Sequence, residues 1–156
     1  MVELSTGAYV ITGEVEAKMT AEFLHACSNS FAPLIWFNSD GGETVQAKEI
    51  MRIIKQNQNV TIRVFGSCAS SATLILQAAK RRQATSTCEF LVHYGEETIM
   101  STSDRRRANK ELKWMKKVYK EHCTVTPQTI GRWFNNETYM NAEQALKVGL
   151  IDEVIK

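Results

Sequence analysis

The chain has 156 residues, of which 44% are apolar, and a formal net charge of +2. That length and composition suit one domain, residues 1–156, with one core, and the near-neutral charge argues neither for nor against nucleic acid. Four cysteines, Cys27, Cys68, Cys88 and Cys123, have no CxxC spacing; they are too sparse for a disulfide framework and lack the paired spacing of a zinc site, so a reduced, cytoplasmic compartment and no metal are expected. The opening residues lack the basic and apolar regions of a signal peptide, and no apolar run is long enough to span a membrane. In chain order, AYVITG (8–13) reads as a strand, and 18–28 as a helix carrying Phe23, Leu24 and Cys27. LIWFNSDGG (34–42) reads as a buried strand running into a glycine pair. In 43–57, Ala47, Ile50, Met51 and Ile54 repeat at helical spacing. VTIRVFG (60–66) is a strand stopping at Gly66, and about 71–80 is a helix too apolar to lie on a surface. CEFLVHYG (88–95) is a strand, 103–122 a long charged helix, and QTIGRWF and NAEQALKVG are two more helices, the second closed by Gly149. LIDEVI (150–155) is a last strand. Strands alternating with helices mean an α/β domain with parallel pairing, whose ligands gather at the carboxyl ends of strands.

Three polar clusters fall at such ends: NSDGG, GSCASS and HYG. In GSCASS a hydroxyl near the start of a helix meets unpaired N–H groups and the positive end of the dipole, a setting that suits a nucleophile. Taken alone, Ser70 or Ser71 reads as well as an N-cap. His93 stands at a strand end, where a lone histidine is more often a structural hydrogen-bonding group than a base, whereas His25 and His122 fall in helices away from the strand ends. The pair Gly41 and Gly42 lets the backbone turn and expose N–H groups, for half an oxyanion hole or for a plain turn. Serine, histidine and a glycine turn together form one hydrolase pattern.

With these residues in place, the chain resembles the proteolytic subunit of the Clp protease (ClpP), a serine peptidase of crotonase-like fold, from about Tyr9 to Ile155. LIWFNSDGGETVQAKEIMRIIKQ is similar to the family's strand, N-S-P-G-G turn and helix. VFGSCASSATLILQAA resembles its G-x-A-A-S-M-[GA] nucleophile segment, FLVHYG its M-I-H-Q-P strand, and YMNAEQALKVGLIDEVI its closing segment. The resemblance implies repeated strand-strand-helix units, with Ser70 as nucleophile and His93 as general base. Cys68 falls on a small core-facing position and Ser67 on a variable one. The family's acid lies two residues before an aromatic, here Tyr139, which points to Glu137; Asn136 and Asn135 are the neighbouring alternatives. The oxyanion would be received by the backbone N–H of Ser71 and one from Gly41 or Gly42.

The resemblance also implies a homo-oligomeric ring, with residues 103–122 as a handle between two stacked rings, a peptide or unfolded-protein substrate, and no cofactor. Ser103 and Asp104 suit its start, and Ala108, Leu112, Met115 and Tyr119 make a narrow apolar stripe on it. Its five lysines and three arginines lack an aromatic platform or a binding motif, so nucleic acid is not expected. Departures from the family are Asp40 in place of a proline, Tyr94 in place of a polar residue, and Gly95 in place of a second proline. The first strand begins at Ala8, without the leading segment with which the family contacts an ATPase ring, so ATPase docking in the usual way is doubtful. The alternatives are a catalytically silent ring protein, a self-processing peptidase of the viral capsid-maturation type, and an acyl-CoA enzyme of crotonase fold.

Overall fold

A computed structural model describes residues 1–94 and 102–156. Its strands are β1 (Val2–Glu3), β2 (Tyr9–Thr12), β3 (Leu34–Ser39), β4 (Thr61–Ala69), β5 (Arg81–Thr85), β6 (Glu89–Val92), β7 (Thr138–Asn141) and β8 (Glu153–Ile155). The helices are α1 (Ala17–Asn29), α2 (Thr44–Asn57), α3 (Ser71–Ala78), α4 (Thr102–Lys120), α5 (Pro127–Asn135) and α6 (Ala142–Val148). The main sheet runs β1-β2-β3-β4-β5-β8, and β6 and β7 branch from β4. Pairing is parallel except for β1 with β2 and β6 with β7. The mixed α/β architecture agrees with the expected ClpP-type fold.

β4 does not stop at Gly66. It bends there, at a φ of +71°, and continues to Ala69. The positive φ favours glycine here, and a Cβ at Gly66 would also lie 2.5 Å from the Asn38 side-chain nitrogen, which would have to move. Before the bend, Thr61 to Val64 pair with both β3 and β5; after it, Ser67 to Ala69 pair with β6. Past the bend the serine-rich segment keeps one pairing with β3, Cys68 with Ser39, and gains β6 as its other neighbour.

Alternating burial along β3 and β4 sends Ile35, Phe37, Ile62 and Val64 into the core. α3 is buried on nearly every side, from Ser71 to Gln77, as its composition required. Its polar members are satisfied within the protein: Gln77 donates to the Leu150 carbonyl at 3.0 Å, and Thr73 donates to the Ser70 carbonyl at 2.6 Å. Gly149 closes α6 in the left-handed region, as expected. Beneath α6, the buried Arg82 guanidinium bonds Asp152, Gln77 and the carbonyls of Gly149 and Leu150. That network satisfies the buried charge of RRQAT, which forms β5 between β4 and β8.

The charged helix divides into two halves. Residues 102–110 are exposed except for a half-buried Ala108, whereas Met115, Val118 and Tyr119 are buried against the body of the protein. Of the expected stripe, Met115 and Tyr119 are thus core residues and Leu112 is half-buried. Lys48 of α2 lies 4.7 Å from the Trp114 ring, a cation–π contact that ties the two helices. Among the described residues no helix is long and apolar enough to cross a membrane.

Candidate active site

Ser70 sits at the junction of β4 and α3, with φ 57° and ψ −129°. This is a conformation that a residue with a side chain rarely adopts, at a cost of about 1–3 kcal/mol. Its hydroxyl makes no capping bond to the helix, which removes the N-cap reading of Ser70. Its backbone is held instead: Ser70 N–H donates to the Leu91 carbonyl of β6 at 2.8 Å, and Thr73 N–H donates to the Ser70 carbonyl at 3.0 Å. Cys68, two residues earlier, is fully buried, and burial pushes its thiol far above the ordinary range. It is packing, not a nucleophile, in keeping with its expected core-facing position.

The glycine turn packs directly on this serine. A Cβ on Gly41, whose φ is +101°, would approach Ser70 Cβ and the Ala69 carbonyl oxygen at 2.8 Å each. Gly41 N–H donates to Ser39 Oγ at 3.1 Å, and Gly42 N–H donates to Ser71 Oγ at 2.9 Å. Ser71 N–H opens α3 and is one of the helix's orphan donors. Asp40 is exposed, and Ser67 Oγ donates to its Oδ1 at 2.5 Å. Ser67 also lies 3.3 Å from Asn38 Oδ1. The carboxylate that replaces the family's proline is thereby bonded to Ser67. An open cleft of about 630 Å³ runs along the turn from Thr12 and Glu14 to Gly42.

His93 follows β6 directly, and Glu137 directly precedes β7. The antiparallel register pairs Val92 with Thr138 and Leu91 with Tyr139, so the next step along the ladder sets His93 opposite Glu137. Glu137 Oε1 lies 3.9 Å from His93 Nδ1, an ion-pair distance rather than a hydrogen bond. The Glu137 side chain is 69% exposed and that of His93 21%. Among the described residues neither Asn135 nor Asn136 bonds the ring, and no hydrogen bond joins Ser70 Oγ to His93. His122 lies just past the end of α4 rather than inside the helix, its Nε2 3.1 Å from the Gln77 carbonyl oxygen. His25 is on α1, edge-on to the Tyr9 ring. Neither lies at a strand end, and neither bonds Ser70, His93 or Glu137 among the described residues. Gly95, expected to replace a proline, lies outside the described residues.

Three features escaped the sequence reading: the Ser67–Asp40 bond, the Ser71 hydroxyl on Gly42, and the buried pair of Thr73 with Tyr119, 2.5 Å apart. Each joins segments 27 to 46 residues apart, so no local pattern signals it.

The family model for the Clp protease matches residues 8–156. The chain is similar to the ATP-dependent Clp protease proteolytic subunit 2 of Pseudomonas aeruginosa, with 27% identity over 158 residues, covering 93% of this chain and 79% of the relative. It is similar to the ATP-dependent Clp protease proteolytic subunit of Streptococcus mutans, with 28% identity over 165 residues, covering 94% and 83%. Proteolytic subunit 1 of Tropheryma whipplei is 26% identical over 136 residues, covering 78% and 64%. With the family match running through β2 and every later strand and helix, including those that carry the glycine turn, Ser70, His93 and Glu137, the chain belongs to the Clp protease family.

Proposed function

We propose that the protein is a serine endopeptidase, acting as one domain on peptides or unfolded protein within a homo-oligomeric ring. Ser70 is the nucleophile, His93 the general base and Glu137 the orienting acid. The observation that carries this reading is the convergence of three chain ends: Ser70 bonded to β6 through Leu91, and His93 facing Glu137 across the β6–β7 ladder.

Neutral His93 takes the Ser70 proton as Oγ attacks the peptide carbonyl carbon. The carbonyl π-electrons move to oxygen, and the N–H groups of Ser71 and the glycine turn receive the oxyanion; one such donor is worth roughly 10²–10³ in rate. The imidazolium, stabilised by Glu137, gives its proton to the leaving amine as the C–N bond breaks. Water, deprotonated by His93, then attacks the acyl carbon; the bond to Ser70 Oγ breaks, Oγ takes the proton back from His93, and the carboxylate product leaves. For Glu137 to hold the ring in one tautomer, the 3.9 Å separation must close to about 2.8 Å.

The exposed outer half of α4, and the exposed apolar side chains Leu24, Phe31 and Val45, supply surfaces for neighbouring subunits. Four cysteines without disulfides fit a cytoplasmic compartment. A silent ring-forming subunit is the second reading. It is favoured by the two glycine N–H groups already being satisfied by serine hydroxyls.

A fluorophosphonate probe separates the readings. Ser70 Oγ displaces fluoride from phosphorus, so an adduct forms only on an activated serine. An adduct located on Ser70 by mass spectrometry, and absent in Ser70→Ala, is expected. Labelling at another serine overturns the nucleophile assignment, and no labelling of the assembled oligomer selects the silent subunit.

A further inference from the structure

We propose that the Ser71 hydroxyl is a latch on the oxyanion hole: it occupies the Gly42 N–H in the resting protein and must leave before that N–H can serve the reaction. The inference rests on the serine peptidase reading above and deepens it. Val15 bonds the backbone on either side of Gly42, accepting from Glu43 N–H at 2.8 Å and donating to the Gly41 carbonyl at 3.0 Å. The peptide groups of Gly42 itself therefore face the opposite edge, where Ser71 lies. Gly41 N–H is bonded within its own turn, to the buried Ser39 hydroxyl at 3.1 Å, whereas Gly42 N–H faces the residue that follows Ser70. Gly42 N–H is therefore the second donor of the proposal, and at rest it meets Ser71 Oγ at 2.9 Å.

Ser71 as a residue is 3% exposed, and its hydroxyl is bonded twice to the same residue, since it also donates to the Gly42 carbonyl at 3.3 Å. Water does not readily compete for it. The resting site thus offers one ready donor, Ser71 N–H, and holds the second closed. Rotation of the Ser71 side chain about χ1 frees the second without moving the backbone. An oxyanion is a stronger acceptor than a hydroxyl, so the transition state displaces the latch, against the strength of one neutral hydrogen bond.

Ser71→Ala removes the latch, and Ser71→Cys fills the volume with a poor acceptor. Both variants are expected to raise the first-order rate of Ser70 phosphonylation roughly three- to tenfold, with apparent probe affinity little changed. Amide hydrogen exchange provides a reading independent of chemistry: Gly42 N–H is expected to be protected in the wild type and to exchange faster in both variants. If Ser70 is labelled but neither variant is faster, the latch is overturned and the peptidase reading stands. If Gly42 exchanges equally fast in all three proteins, the latch is likewise overturned. If no form labels at Ser70 although exchange accelerates, the peptidase reading fails and takes the latch with it.

Discussion

Gly41→Ala tests whether the glycine turn is built against the nucleophile. The new Cβ would meet Ser70 Cβ and the Ala69 carbonyl oxygen at 2.8 Å, and Ser71 N at 3.3 Å. All three belong to the turn that carries Ser70, and none is the mobile end of a long side chain. The φ of +101° adds strain for any residue with a side chain, about 1–3 kcal/mol, and overpacking adds a comparable ~1–3 kcal/mol. At about 2–4 °C per kcal/mol for a chain of this size, the melting temperature should fall by roughly 10 °C. Relief of the contact to ordinary distance moves the Ser70 turn by about 0.6 Å, and displacements of ~1 Å cost on the order of 10²-fold in rate, so phosphonylation should slow by about tenfold or more. Gly7→Ala is the comparison: its φ is +83°, yet nothing lies within 4 Å of the added carbon. It should carry strain alone, about 1 kcal/mol, and label at the wild-type rate. Thermal melts followed by circular dichroism and timed probe labelling measure both effects. A Gly41→Ala protein that melts and labels like Gly7→Ala refutes the close packing of turn on nucleophile.

Glu137→Ala should lower kcat/KM and the labelling rate by about tenfold, less than for an enclosed triad acid because Glu137 is exposed and 3.9 Å from the ring; an unchanged rate removes it from the site. Arg82→Ala leaves the Gly149 and Leu150 carbonyls, Gln77 and Asp152 without their shared donor, which should destabilise the fold by about 3 kcal/mol; a urea midpoint equal to the wild type would contradict that. Burial, and then the charge of Arg82, hold His122 below its ordinary value of 6.5. The unfolded chain therefore binds the extra proton first, and stability should fall as pH drops below about 6.5. Urea midpoints across that range, for wild type and His122→Gln, check it: the substitution should flatten the slope, and an identical slope would rule His122 out as its source.

The elements legible in the sequence were those whose periodicity reports burial directly. β3, α2 and α3 carry apolar residues at strand or helix spacing, and their placement follows. β5 was hidden because its buried Arg82 and Gln83 are polar residues paired with Asp152 and Glu153, some 70 residues away. β7 was hidden because TYMN is short and alternates weakly. Its existence nonetheless decides how Glu137 is placed, since the ladder with β6 brings the acid opposite His93. The family resemblance pointed to Glu137 through its spacing to Tyr139, and the strand pairing that sets Glu137 opposite His93 is not revealed by that spacing. The distinction between Gly41 and Gly42 was equally out of reach, because it depends on Val15, which bonds the chain on both sides of Gly42.

Ser70 raises a different question: how the chain keeps a non-glycine residue at φ 57°. A conformation of that kind persists only where its surroundings over-determine it. Its N–H is fixed to Leu91 of β6. Its carbonyl accepts twice, from Thr73 N–H at 3.0 Å and from Thr73 Oγ1 at 2.6 Å. Because Thr73 spends its proton on Ser70, the Tyr119 hydroxyl 2.5 Å away must be the donor to Thr73. Tyr119 is 1% exposed, and burial pushes its phenol well above the ordinary range, so it keeps that proton under all ordinary conditions. The bonds therefore run in one direction, from α4 through Thr73 to the Ser70 carbonyl. The same peptide segment is anchored on its other side to β6, the strand that His93 follows. Ser70, the proposed nucleophile, is thus held between β6, which leads into His93, and the Thr73–Tyr119 pair.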